Sequence, residues 1–195
     1  MKKTRKDSKK KDTIQKNNRS AVIKEGIKKR KPQLLFLITV AILMMCYYAI
    51  TGTDVFSKSF LPAYLSVVAT VTSAALSLIG FSNYTSGTVV SSQAFSMNIA
   101  YGCDALEPTF LFIVVVLAFP AQWKKKIIGI VGGVLILYSI NIIRLVTVFL
   151  TGIYKREYFE LMHIEIWQAL FIFLALILFV LWVSIAERTT VREKV

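Results

Sequence analysis

Three side chains in the apolar part of this chain could do chemistry together: Cys103, Arg144 and His163. A thiolate is the reactive form of cysteine, and an imidazole can take the thiol proton and later return it. A guanidinium can stabilise the negative charge that develops on an attacked carbonyl, or hold a substrate backbone. Gathered in one pocket, the three would support nucleophilic acyl transfer, and a low local dielectric would strengthen their interactions. Whether they meet depends on the elements that carry them.

The 195 residues are 55% hydrophobic, with a mean hydropathy of +0.60. That exceeds what a soluble domain of this length needs for its core. The fold class expected is an all-α integral membrane protein. Four apolar runs are long enough to cross a hydrocarbon layer of about 30 Å: residues 34–50, 105–122, 127–152 and 164–186. A fifth, 60–81, is diluted by Pro62, Ser66, Thr70, Thr72, Ser73 and Ser77.

Charge orders these runs. The formal charge is +13, and residues 1–32 carry fourteen Lys or Arg against Asp7, Asp12 and Glu25. Basic residues beside spans stay cytoplasmic. Keeping this tail, Lys124-Lys125-Lys126 and the C-terminal Arg188, Arg192 and Lys194 on one side requires an even number of crossings. The expectation is a four-span helical bundle with both termini cytoplasmic, and an additional helix over 60–81 at or re-entering the outer face. The polar stretch 82–104 is then an extracytoplasmic hairpin or loop. Residues 1–32 form a basic cytoplasmic tail, disordered in part; 33–186 form the membrane-embedded catalytic domain; 187–195 form a cytoplasmic tail.

Depth can be counted from the Lys triplet at 1.5 Å per helical residue. Cys103 lies about 30 Å away if helical, and Arg144 about 27 Å on the other side of the turn. His163 opens the last inward run, so all three fall near the outer boundary. An ionisable group within a membrane marks a functional site by default. Asn141 lies one turn before Arg144 on the same helix face and is a candidate substrate-binding residue. Pro108 suits the first turn of a helix, which places Cys103 just before a helix N-terminus, where the dipole favours a thiolate. Glu107 and Glu165 are read as solvated interfacial acids rather than as a carboxylate orienting His163.

These residues resemble the exosortase/archaeosortase family. The resemblance lies in Tyr101-Gly102-Cys103-Asp104-Ala105-Leu106-Glu107 entering a span, a basic turn, Asn141-Ile142-Ile143-Arg144, and His163 opening the last span. Phe119-Pro120-Ala121-Gln122-Trp123, Tyr158-Phe159-Glu160-Leu161-Met162-His163 and Trp167-Gln168-Ala169-Leu170 look closest to the exosortase H subtype. The likeness spans about half of the chain.

It implies a cysteine transpeptidase or protease of the cell (inner) membrane with its active site on the extracytoplasmic side. Its partners would be exported proteins bearing a C-terminal sorting signal, made of a short motif, a transmembrane helix and a basic tail, together with an unknown acceptor. The family's catalytic set maps onto Cys103, Arg144 and His163. Where the family usually follows the cysteine with a small or amide residue and then Gly, this chain has Asp104 and Ala105. Alanine does not readily take positive φ, so an altered backbone is expected beside Cys103.

The alternative is a non-catalytic small membrane protein acting as an assembly factor or regulator. A thiol oxidoreductase needs a cysteine pair, and Cys46, inside the first apolar run, makes a poor partner for Cys103. The basic tail is explained by topology and attraction to membrane lipid, so no nucleic-acid partner is expected. No metal-ligand cluster, phosphate loop or nucleotide fingerprint occurs, and neither a metal nor a cofactor is expected. Gly129, Gly132 and Gly133 read as close-packing positions.

Overall fold

The computed structural model describes residues 31–192. Most of the basic tail, residues 1–30, and the last three residues lie outside them. Four helices are long and apolar enough to cross a membrane by length and composition: Lys31–Thr51, Phe56–Leu78, Trp123–Tyr154 and Leu161–Ala186. Their outward faces carry exposed Leu, Ile, Val and Phe, among them Leu35, Val67, Ile128 and Phe173. The protein is an all-α integral membrane protein with a small appended sheet.

The elements are α1 (Lys31–Thr51) and α2 (Leu61–Leu78), which a π-helical turn Phe56–Phe60 precedes. Then come β1 (Tyr84–Ser86), β2 (Val89–Ser91), β3 (Ser96–Asn98) and α3 (Leu106–Ala118). The chain closes with α4 (Trp123–Tyr154), a π-helical turn Leu161–Ile166 and α5 (Trp167–Arg192). The chain divides into two compact units at Ile42; residues 31–42 are the first part of α1, and the packing below lies within the second unit.

The number of long helices is as expected, but the membership differs. The run 105–122 yields a helix of 13 residues, about 20 Å long and short of a full crossing. Its start is delayed by the turn at Gly102–Ala105. Its end is fixed by Phe119, held extended (ψ 138°) before Pro120, where the α region is disfavoured. The diluted run 60–81 instead forms one continuous helix with its preceding turn, because its Ser and Thr hydroxyls return to the helix's own carbonyls. Thr70 donates to Ser66, Thr72 to Val68 and Ser77 to Ser73.

Two hydrophobic cores are stacked along α4. One joins α3, the N-terminal half of α4 and α5 through Phe112, Val116, Leu137, Phe171 and Trp182. The other joins α2, the C-terminal half of α4 and the sheet through Leu65, Val68, Leu76, Val90, Met97, Val148 and Phe149. α2 runs parallel to the far half of α4: Tyr64 near its start meets Tyr138, and Phe81 just past its end meets Tyr154. Cys103 belongs to the second core and Ala105 to the first.

At the basic end, lysines of α4 reach backbone carbonyls of the neighbouring helices. Lys126 Nζ donates to Leu117 O at 2.5 Å, and Lys125 Nζ to Ala186 O at 3.3 Å. The C-terminal end of α3 and the later part of α5 are thereby tied to the N-terminal end of α4. Gly129 and Gly133 are close-packing positions, since an added Cβ would overlap the Trp182 and Phe112 rings; Gly132 faces open space.

The stretch 82–104 is a three-stranded antiparallel sheet in the order β1-β2-β3. A two-residue turn joins β1 to β2. Asn83 closes α2 onto it by donating to Ser73 O, Ser77 Oγ and Phe81 O.

Candidate active site

Two features position Cys103. Gly102 takes φ +92°, the left-handed region open to glycine, and a turn bond runs from the Cys103 N–H to Ala100 O. Ala105 then takes φ 59°, ψ 10°. Alanine therefore adopts the conformation that the substitution for glycine was expected to hinder. This left-handed alanine carries a local cost, which the buried surroundings hold in place. Replacing Ala105 with Gly should relieve this strain while giving back some chain entropy. The expected outcome is a gain of up to about 1 kcal/mol, read as a higher melting temperature in detergent with site reactivity unchanged.

Asp104 caps α3 from outside, its Oδ1 accepting the Leu106 N–H at 3.1 Å. Tyr64 donates to Asp104 O at 2.7 Å and lies 2.9 Å from the Tyr138 hydroxyl. Asn141, fully buried, donates from Nδ2 to Cys103 O at 3.1 Å. The site loop is thus held through two successive carbonyls, one by α2 and one by α4. One N–H of the Asn141 amide thus supports the Cys103 carbonyl, while its Oδ1 has no protein partner.

His163 rides on the π-helical turn before α5, a geometry frequent at functional sites. Its ring stacks on Phe159, with centroids 5.6 Å apart and planes 8° apart. Phe159 meets Phe95, which meets Phe149. Gly152 allows this ladder, because a Cβ there would stand 2.4 Å from the Phe95 ring. So oriented, His163 Nε2 lies 3.2 Å from Cys103 Sγ. Buried Arg144 donates from Nη2 to His163 O at 3.3 Å, tying α4 to the turn that bears the imidazole.

The three residues singled out in sequence therefore meet, where the two cores join. Neither acid near them orients the imidazole: Glu107 accepts from Tyr48, and Glu165 is exposed. His163 Nδ1 has no protein partner. Among the described residues, the buried polar side-chain atoms lacking a partner are Asp104 Oδ2, Thr109 Oγ1, Asn141 Oδ1, Arg144 Nε, His163 Nδ1 and Trp167 Nε1. All belong to the site or lie within five residues of one of its members. Buried polar groups elsewhere in proteins are nearly always satisfied, and here the atoms without a protein partner are concentrated around the site.

Tyr64, Tyr138, Phe95 and Phe159 were not singled out from sequence. Tyr138 was legible in principle, since Tyr138, Asn141 and Arg144 repeat every three residues along one helix face. The partners of Tyr64 and Phe95 come from other elements and leave no local pattern.

Burial pushes the Cys103 thiol above its ordinary range. The Arg144 guanidinium and the backbone at Ala100 oppose that rise, and the Asp104 carboxylate adds to it. Burial thus outweighs the cation beside the sulfur in setting the direction of the shift. Burial likewise pushes Asp104 up, against the backbone N–H groups around it. The sign follows directly: alkylation of Cys103 by iodoacetamide should reach its midpoint at higher pH than a free cysteine. In Asp104→Asn, which removes a charge opposing the thiolate, the midpoint should move down. Mass spectrometry of the Cys103 peptide across a pH series checks both.

A family model described as transmembrane exosortase (EpsH) matches residues 30–182, most of the chain. No curated protein and no solved structure matches it.

Proposed function

Because the chain belongs to the transmembrane exosortase family, we propose that it is a membrane-embedded cysteine transpeptidase acting on C-terminal sorting signals of exported proteins. The observation that carries this reading is the 3.2 Å approach of Cys103 Sγ to His163 Nε2, within hydrogen-bond reach for a nucleophile and its base.

In this reading His163 Nε2 takes the Cys103 proton as the sulfur attacks the scissile carbonyl. The tetrahedral oxyanion draws on buried donors, of which the free Nε–H of Arg144 is the charged one. Collapse breaks the C–N bond, and His163 returns the proton to the leaving amine. A thioester remains on Cys103. An acceptor nucleophile then gives its proton to His163 and takes the acyl group, and the thiol is regenerated when that proton returns to sulfur. Asn141 is a positioning residue that fixes the Cys103 carbonyl, and no step calls for a metal or a cofactor.

In the same reading the protein lies in the cell membrane with both termini cytoplasmic. The core formed by α3, α4 and α5 lies in the bilayer above the lysine-rich end, and the core containing α2 and the sheet lies at the extracytoplasmic boundary. The stretch of α4 from Lys126 to Arg144 is about 27 Å long, close to one hydrocarbon thickness.

The test is covalent capture. A tagged exported protein with a sorting signal is co-expressed, the reaction is quenched, and the adduct is located by mass spectrometry. A thioester on Cys103 is the expected result; an adduct on another side chain overturns the assignment.

A further inference from the structure

Next to the Cys103–His163 pair lies a cleft of about 480 Å³. One wall is β3 with Phe95; the other holds Arg156, Glu157, Phe159, Glu160 and His163. β3 is an edge strand, paired on one side only with β2, and its residues Ser96, Met97 and Asn98 all line the cleft. The phase of the ladder fixes which backbone groups face which way. Ile99 N–H donates to Thr88 O at 2.9 Å, Ser92 N–H donates to Phe95 O at 2.8 Å, and Val90 pairs with Met97. Antiparallel pairing alternates along a strand, so Phe95, Met97 and Ile99 turn their backbone groups to β2. Ser96 and Asn98 turn theirs away from it.

The side chains at these two positions do not cover that edge. The Asn98 Oδ1 accepts from Thr88 Oγ1 at 2.8 Å, and Ser96 Oγ lies 3.0 Å from Ser91 Oγ, so both are drawn back toward β2. What remains on the cleft side is a short row of peptide N–H and C=O groups, a template for another strand. His163 lines this same cleft and touches the Cys103 sulfur. A peptide lying along the edge would thus have its backbone led to the reactive pair.

We propose that the segment of the substrate beside its scissile bond binds in extended form, as a fourth strand on the free edge of β3, held by the backbone N–H and C=O groups of Ser96 and Asn98. The proposal rests on the acyl-transfer reading and adds the substrate's binding mode. Main-chain pairing of this kind supplies affinity independent of sequence, leaving discrimination to side chains at alternate positions. The charged wall of Arg156, Glu157 and Glu160 faces one set of those side chains.

The test uses the full-length protein in membranes, co-expressed with a tagged exported protein carrying a sorting signal. Ser96→Pro and Asn98→Pro each delete one outward N–H, and an edge strand accepts proline at such a position. Thr85→Pro is the matching change on the opposite edge, where the pairing of Tyr84 with Ser91 and Ser86 with Val89 leaves Thr85 facing outward.

Each of the β3 variants should lower processing about tenfold, the worth of one lost hydrogen bond, with membrane level and Cys103 alkylation as in the parent. Thr85→Pro should process normally. If both β3 variants process like the parent while Cys103→Ala does not, strand addition is overturned and acyl transfer stands. If Cys103→Ala still processes, both fail.

Should the proline variants not accumulate, disulfide mapping decides. Asn98→Cys, in a background of Cys46→Ser and Cys103→Ala, is paired with single cysteines at successive substrate positions. Cross-links at every second position support the strand; cross-links without that period, or none, overturn it.

Discussion

Replacing Cys103 with alanine leaves a co-expressed sorting-signal protein at full length, a loss of about a thousandfold or more in processing. The size follows from the role. The proposed reaction divides one hard step into two through a covalent intermediate, and no second thiol stands in reserve. Cys46, the other cysteine, is exposed on α1. Truncation also removes a sulfur from the core that Cys103 helps to fill, so a modest fall in stability, on the order of 1 kcal/mol, accompanies it. The variant should therefore still accumulate in the membrane. Immunoblots of substrate length alongside enzyme level separate the two effects, and processing that persists at normal enzyme level refutes the role of the sulfur.

Arg144→Lys should cost about a hundredfold, mostly in kcat, despite keeping the charge. Lysine lacks the planar fork that lets one guanidinium donate in several fixed directions. In the native site Nη2 holds His163 O while Nε–H stays free. A lysine ammonium cannot hold that carbonyl and also present a donor in the place of Nε–H. The companion variant Arg144→Gln separates charge from geometry. It removes the cation that draws the Cys103 pKa down, so its alkylation midpoint should rise above the parent's, whereas the lysine variant's should stay near it. If Arg144→Lys processes like the parent, the fork has no role.

Both experiments depend on a meeting of residues that sequence could anticipate in depth but not in detail. Counting from the Lys triplet brought Cys103 and Arg144 to one level because helical rise is constant. The count survives even though α3 is only 13 residues long: Asn141, one turn from Arg144, donates to the Cys103 carbonyl. The 60–81 helix shows the limit of composition: its hydroxyls look polar in sequence, yet several are absorbed by its own carbonyls. Ala105 shows another limit, because a left-handed alanine is imposed by packing from both sides of a loop, which no local propensity records.

By itself the sequence determined the membrane class, most of the long apolar helices, the basic end, and which three side chains to look for together. These follow from transfer free energy, helical rise and charge, each a property of consecutive residues. The tertiary structure alone decided that Asn141 supports the Cys103 carbonyl, that an aromatic ladder from Gly152 through Phe95 and Phe159 aims His163, and that the thiol rests above its ordinary range. It also decided which edge of the sheet stays open beside the site. Those outcomes depend on burial and on contacts between distant segments, which exist only once the two cores have closed around α4.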